Sequence, residues 1–126
     1  MIQALAVATG GALGAMMRHF SVVFAVRLWG DGFPYGTLAV NVLGSFIIGV
    51  LLEAMALKWQ VSQEMRGFLV TGILGGFTTF SAFSFDFFKL AETHQAVAAG
   101  VYLTASVGLS LAAVFAGVFL MRGVLS

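Results

Sequence analysis

GILGGFTTFSAFS, residues Gly72 to Ser84, lies at the centre of an uncharged segment that is long enough to cross a bilayer. Its middle disfavours a continuous helix. Paired glycines each lose about 1 kcal/mol of helix propensity relative to alanine, and threonine and serine offer the backbone competing hydrogen bonds. We therefore predict a helix that stops near Gly75, an unwound turn through Thr79 and a second half-helix that starts near Phe80.

Such an interruption has a specific meaning in a membrane. In hydrocarbon it persists only where it is buried in protein or lines a wet cavity, and helix ends at mid-depth are where membrane proteins hold ions. The alternative is that Gly75 and Gly76 serve only close helix packing, for which glycine is common in membrane helices. The four hydroxyl residues that follow these glycines favour an ion site.

Composition places the chain in a membrane and excludes several functions. Hydrophobic residues make up 60% of the 126 residues and charged residues 9%, whereas a soluble domain carries about 25% charge. The length fits a single domain, residues 1–126. Without cysteine there is no disulfide or thiolate metal site, and a net charge of +1 without a basic cluster argues against nucleic acid. His19 and His94 lie in no nucleophile or metal-ligand pattern, so no enzyme is predicted.

Four apolar segments follow one another at about residues 2–26, 35–57, 67–88 and 95–121. Each is near or above the length of about 20 residues that a spanning helix needs. The linkers between them are short and leave no soluble domain. We therefore predict an all-α membrane protein with four transmembrane helices, of which the third is broken at mid-membrane.

Basic residues near the ends of these segments are balanced between the two sides of the membrane. Lys58, Arg66 and Arg122 fall on the side of the N-terminus, against Arg27 and Lys89 on the other side, joined by Arg18 if that side chain extends that way. Because the distribution of Lys and Arg sets orientation, this balance motivates the hypothesis of an antiparallel homodimer with dual topology. The alternative is that the weak bias fixes one orientation.

Neutral polar and aromatic side chains inside the last three segments are candidates for an anion path. Asn41 shares a helix face with Thr37 and can donate from its amide. Phe80 and Phe83 lie three residues apart, and the positive edges of such rings can stabilise a desolvated anion. Further hydroxyls at helical spacing are Ser81, Ser84, Tyr102, Ser106 and Ser110. The alternatives are helix–helix bonding by the amide, core packing by the rings and hydrogen bonds from each hydroxyl to its own helix.

Arg18 is a cation inside the first span, so it needs a carbonyl, an anion or water as a partner. It could draw anions into a vestibule, or it could extend its guanidinium towards the interface from a helix end. In the same span, Gly10 and Gly14 form a GxxxG face that favours close helix contact.

Three motifs together resemble the CrcB/Fluc family of bacterial fluoride channels: GALGAMMR at residues 11–18, PYGTLAVN at 34–41 and GILGGFTTFSAFS at 72–84. The resemblance covers the chain in length and layout. It implies a fluoride-selective passive channel that exports fluoride from the cytoplasm across the bacterial inner membrane. It also implies an antiparallel dual-topology homodimer with two pores, each lined by both subunits, and one central structural sodium ion.

The resemblance also implies roles for single residues. Asn41 corresponds to a pore amide, and Phe80 and Phe83 to rings whose edges contact fluoride. The other correspondences are polar positions at Tyr102, Ser106 and Ser110, a basic residue at Arg18, and sodium-binding carbonyls at Gly75 and Thr78. The family commonly reads TTFSTFS, whereas this chain has Ala82 at the second threonine, which predicts one pore-side hydroxyl fewer.

Two other function classes compete with a channel. A small dual-topology multidrug transporter also uses four helices, but that chemistry needs a mid-membrane carboxylate that alternates between a proton and a cation, and the first segment offers none. A structural subunit of a larger membrane complex would conduct nothing on its own. The lack of a mid-span carboxyl also favours a channel over a proton-coupled exchanger.

Overall fold

The computed structural model describes residues 1–93 and 95–125. His94, in the last predicted linker, and Ser126 lie outside the described residues. The regular structure of the described residues is helical and consists of α1 (Ile2–Trp29), α2 (Tyr35–Leu57), α3 (Gln63–Arg66), a π-helical segment (Gly67–Leu74), α4 (Gly75–Phe77), α5 (Phe80–Glu92) and α6 (Ala96–Leu125).

Three helical stretches in the described chain are long and apolar enough to cross a membrane, namely Tyr35–Leu57, Gln63–Glu92 and Ala96–Leu125. With 28 residues, α1 is also long enough, but its glycines, Arg18 and His19 make it less apolar. The prediction of an all-α membrane protein is confirmed, and the prediction of four apolar spans holds for three of the four.

The helix before the predicted interruption continues further than the sequence indicates. It ends at Phe77 and not near Gly75. The reason is that Gly76 keeps helical geometry while it packs, since a Cβ there would collide with the carbonyl oxygen of Gly11. Gly76 therefore serves close contact with α1, whereas Gly75 is exposed. The preceding π-helical segment was not predicted either.

Two threonines separate α4 from α5. Thr78 has φ −96° and ψ 149°, Thr79 has φ −154° and ψ 132°, and helical geometry resumes at Phe80. The side-chain hydroxyl of Thr79 accepts a hydrogen bond from the backbone N–H of Ala82 at 3.3 Å and so caps α5. The side-chain hydroxyl of Thr78 donates to the carbonyl of Leu74 at 2.8 Å. Helix-competing hydroxyls, and not glycines, thus produce the extended residues.

Glycines set the distances between helices on both sides of the molecule. A Cβ at Gly14 would collide with the carbonyl oxygen of Ile73, so α1 lies directly on the π-helical segment. On the other side, a Cβ at Gly49 would collide with the carbonyl oxygen of Val114, so α2 lies directly on α6. The GxxxG face of the first span therefore makes the close contact that its spacing predicts.

The described core lies at one end of the molecule, between α5 and α6. It contains Phe83, Leu90, Ala99 and Tyr102, with Phe33 packed against it. Large apolar side chains elsewhere are widely exposed, as expected of a chain whose outer surface contacts lipid or another protein and not water.

Candidate functional site

A groove of about 340 Å³ lies beside the two extended threonines, between α2, α5 and α6. Its polar lining comes from Asn41, Ser45, Thr78, Thr79, Ser106 and Ser110, and its apolar lining from Phe80, Phe83, Val107 and Leu111. No carboxylate is among these residues. Five of the predicted pore residues meet here: the amide, both rings, and the Ser106 and Ser110 hydroxyls.

The Asn41 amide is bonded to the backbone of the interruption. Its Nδ2 donates to the carbonyl of Thr79 at 3.2 Å, and its Oδ1 accepts from the Thr79 N–H at 2.9 Å. The amide therefore replaces two hydrogen bonds that a continuous helix would make at this point. Because an amide nitrogen carries two hydrogens, one donor remains for another partner, so Asn41 both joins two helices and lines the groove.

The two rings lie at different depths. Phe83 is 7% exposed and Phe80 is 76% exposed, and their centroids are 5.3 Å apart at an interplanar angle of 49°. Phe83 also packs on Tyr102, with centroids 5.1 Å apart. Phe83 therefore forms part of the inner wall of the groove, whereas Phe80 stands at its open side.

Tyr102 and Thr37 lie behind the groove and do not line it. Tyr102 is fully buried, and its hydroxyl donates to a carboxylate oxygen of Asp86 at 3.3 Å. The hydroxyls of Thr37 and Ser106 neighbour that of Tyr102. Asp86 is half-buried, because the phenol holds it against α6.

Ser81 and Ser84, which were predicted to line the pore, lie on the exposed face of α5 and not in the groove of a single chain. The Ser81 hydroxyl is 3.0 Å from that of Thr79. Ala82 is half-buried and also outside the groove lining, so the hydroxyl that it lacks is not missing from the groove within one chain.

Arg18 reaches the end of α4. Its Nε donates to the carbonyl of Gly76 at 3.1 Å, and the side chain is half-buried. The structure thus gives Arg18 a carbonyl partner, which is one of the options that its position in the span predicts. A guanidinium here supplies a donor to a carbonyl that lies in the last turn of a helix, where intrahelical partners are lacking.

The predicted sodium ligands are the backbone carbonyls of Gly75 and Thr78. The neighbouring carbonyls of Leu74, Gly76 and Thr79 accept the hydrogen bonds described above. Gly75 is exposed, and the nearest atom to a Cβ placed there would be 3.7 Å away, so space exists beside it. In the part of the chain that the structure describes, no group of three or more His, Cys, Asp or Glu side chains could hold a metal ion.

Ser45 is a groove residue that the sequence analysis missed. It follows Asn41 by four residues, as Asn41 follows Thr37, so the three lie on one face of α2. This spacing was a usable signal. A single serine beside Gly44 is equally typical of a packing residue.

A second pocket, of about 280 Å³, lies at the end of the molecule where α5 finishes. It is lined mainly by polar residues, including Asp31, Asp86, Lys89 and Thr93. Because Asp86 bonds Tyr102 and Tyr102 packs on Phe83 of the groove, a chain of three side chains in contact links the two spaces.

Residues 5–118 match the family described as CrcB-like protein, Camphor Resistance (CrcB). The chain belongs to the CrcB family. Its CrcB relatives include proteins named fluoride-specific ion channel FluC. One from Rhizobium etli is 59% identical over 122 residues, which cover 97% of this chain and 98% of the relative. The corresponding protein of Agrobacterium fabrum is 52% identical over 97% of this chain and 98% of its own length.

A protein named fluoride-specific ion channel FluC from a Chelativorans species is 52% identical over 125 residues, which cover 99% of this chain and all of the relative. The resemblance predicted from the three motifs is thereby confirmed. The names of these relatives are those of channels and not of enzymes, as the sequence predicted. The long apolar helices and the CrcB assignment together establish a multi-pass membrane protein.

Proposed function

We propose that this CrcB chain is a fluoride-selective passive channel that lets fluoride leave the cytoplasm across the bacterial inner membrane. The observation that carries the proposal is the groove, which combines an amide, several hydroxyls and two phenyl rings without a carboxylate. The names of the relatives support fluoride as the ion.

The groove suits a small desolvated anion. An anion that leaves water must find donors in its place, because an unpaired charge in an apolar medium is costly. The free N–H of Asn41 and the hydroxyls of Ser106 and Ser110 supply donors, and the edges of Phe80 and Phe83 add weaker positive charge. Since no acidic side chain lines the groove, nothing there repels an anion or holds a metal cation against it.

The groove of one chain is open on the side of Phe80, and Ser81 and Ser84 face outward from the same helix. In a bilayer, a polar groove and exposed hydroxyls of this kind favour burial against protein over exposure to lipid. We therefore propose an antiparallel homodimer in which the partner covers each groove, which makes two pores, with the interruption of the third span at mid-membrane.

Dual topology can be tested with one added cysteine, since the chain has none. A cysteine placed after Ser126 should be labelled by a membrane-impermeant thiol reagent from both faces of the membrane. Labelling from one face alone would show a single orientation and rule out the antiparallel dimer.

The proposal also includes a structural sodium ion. The carbonyls of Gly75 and Thr78 are hard oxygen ligands of the type found where membrane helices unwind, and two chains would supply four. The positive charge of Arg18, bonded to the adjacent carbonyl of Gly76, disfavours a cation nearby. Sodium binding therefore needs a separate test. The unfolding temperature should be higher in sodium than in potassium at equal ionic strength, and equal values would refute a structural sodium.

Fluoride efflux from liposomes that contain the purified protein, followed with a fluoride electrode, tests the function directly. Efflux should proceed without a proton gradient, and chloride should not replace fluoride. Empty liposomes are the control. A requirement for a proton gradient would contradict a passive channel, and the absence of efflux would favour a structural subunit. Pumping of a cationic drug would favour the multidrug transporter, which the CrcB assignment leaves without support.

A further inference from the structure

We infer that Ser45 continues the anion path one helical turn beyond Asn41, and that the path runs between two matched rows of polar side chains on α2 and α6. The inference rests on the proposed function and extends it to a residue that has no assigned role. It is carried by the register of the two helices, by the unpaired hydroxyls between them and by the close contact that ends the rows.

The two rows have the same spacing. The α2 row is Thr37, Asn41 and Ser45, and the α6 row is Tyr102, Ser106 and Ser110, with four residues between successive members of each. Helix geometry places the members of a row on one face, about 6 Å apart along the axis.

Contacts before and after these residues fix the register. Thr37 neighbours Tyr102 at one end of the rows. Three turns further along α2, Gly49 lies against Val114, which is equally far along α6. The two helices therefore run in the same direction without slippage, so Ser45 lies at the depth of Ser110. Both serines line the groove.

The hydroxyls along these rows are not used by their own helices. Elsewhere in the chain, the hydroxyls of Thr9 and Thr93 donate to the carbonyl four residues earlier at 2.9 Å each. Over residues 1–93 and 95–125, the structure shows no hydrogen bond for the hydroxyls of Ser45 and Ser110, and none of good geometry for that of Ser106. A helical serine in an apolar setting ordinarily satisfies its hydroxyl in this way.

Ser106 gives the second observation that indicates a ligand. It is 6% exposed, and its Oγ is buried without a hydrogen bond of good geometry among the described residues, although the Tyr102 hydroxyl lies next to it. Buried polar atoms nearly always have a partner, so an orphan at the wall of a polar groove points to an ion or water as its natural partner. An anion held there by Asn41 and Ser106 has its next two donors at Ser45 and Ser110, one turn away.

The rows end immediately after Ser45. Gly49, one turn further along α2, lies against Val114, and Gly117, two turns further along α6, lies against Phe46. The backbones of α2 and α6 are therefore in direct contact, which leaves no space between the helices. An anion cannot continue between them, so it leaves through the open side of the groove at the level of Ser45. Ser45 is therefore the last donor on this side, where the anion regains water or meets the partner chain.

The test compares Ser45→Ala with Ser45→Thr in full-length protein in liposomes, with Ser21→Ala as the matched control. Ser21 is half-buried on α1 and lies outside the groove. Ser45→Ala should lower the fluoride efflux rate by about two- to tenfold, the scale of one hydrogen bond. Ser45→Thr, which keeps the hydroxyl, should restore most of the rate, and Ser21→Ala should not change it.

The unfolding temperature of each variant separates a path role from a structural one. Ser45→Ala should lower efflux while it unfolds within a few degrees of the unsubstituted protein. Unchanged efflux in Ser45→Ala, or a loss that follows a lowered unfolding temperature and is not restored by threonine, would overturn the inference. Absence of fluoride efflux in the unsubstituted protein would instead refute the proposed function, so the two failures are distinguishable.

Discussion

Asn41 and Thr79 are joined by two hydrogen bonds between a side-chain amide and a backbone peptide, 3.2 Å from Nδ2 to the carbonyl oxygen and 2.9 Å from the N–H to Oδ1. The amide thus substitutes for the helical partners that an extended residue lacks inside a membrane-spanning stretch. Because Asn41 also lines the groove, the residue that stabilises the interruption is the one that offers a donor to an anion.

Substitution of Asn41 should therefore affect both stability and fluoride efflux. Asn41→Leu removes both bonds and leaves the Thr79 peptide unpaired, which should cost about 1–3 kcal/mol of stability and abolish fluoride efflux. Asn41→Asp keeps an acceptor for the Thr79 N–H but turns a carboxylate oxygen towards the Thr79 carbonyl and places a negative charge in the groove, so it should lose both efflux and stability. Thermal unfolding in detergent measures the stability, and fluoride efflux from liposomes measures the conduction. An Asn41→Leu protein as stable as the original would contradict the bridging role.

The close contact between α1 and the π-helical segment predicts different effects of substitution at Gly14 and Gly11. Gly14→Ala would drive a methyl group into the Ile73 carbonyl, whereas a methyl at Gly11 meets nothing within 4 Å. Overpacking against backbone should lower the stability of Gly14→Ala by about 1–3 kcal/mol. Gly11→Ala, the matched control, should be at least as stable as the original, because alanine favours helix. Equal unfolding temperatures for the two variants would contradict the packing.

The sequence predicts those features that depend on local pattern. Hydropathy predicts long apolar helices, and the spacing of Gly10 and Gly14 predicts a close contact, because each signal lies within one segment. Local pattern also explains the difference at Gly75. Weak helix formers predict the end of the helix there, but Gly76 packs on α1 in helical geometry, and the extended residues are Thr78 and Thr79.

Features that depend on contacts between distant segments could not be predicted in this way. The bond from Asn41 to Thr79 joins residues 38 positions apart. The burial of Asp86 depends on where Tyr102 lies on another helix. The outward position of Ser81 and Ser84 depends on which face of α5 packs on α6. The spacing within α5 alone does not decide between the face of the two rings and the face of the two serines.

The unequal exposure of the two rings predicts unequal effects of substitution. Phe83 is buried against Tyr102, so Phe83→Ala should cost about 3–5 kcal/mol of stability, as for other buried rings. Phe80 is mostly exposed, so Phe80→Ile should change stability little and yet suppress fluoride efflux strongly if ring edges contact the ion. Phe24→Ile, at a similarly exposed ring on α1, is the control. Equal efflux from Phe80→Ile and Phe24→Ile would contradict the role of the Phe80 ring.

Arg18 allows a prediction that distinguishes a vestibule charge from a helix-end partner. A vestibule role needs only positive charge, so Arg18→Lys would retain fluoride efflux and stability. The bond to the Gly76 carbonyl comes from Nε, where lysine has a methylene group. We therefore expect both Arg18→Lys and Arg18→Met to lose about 1–3 kcal/mol through the unpaired carbonyl. Thermal unfolding in detergent measures this, with Arg27→Lys on the exposed end of α1 as the control. Two results together would instead support a vestibule role for the charge. Arg18→Lys would be as stable as the original, and Arg18→Met would lose efflux only at low fluoride concentration.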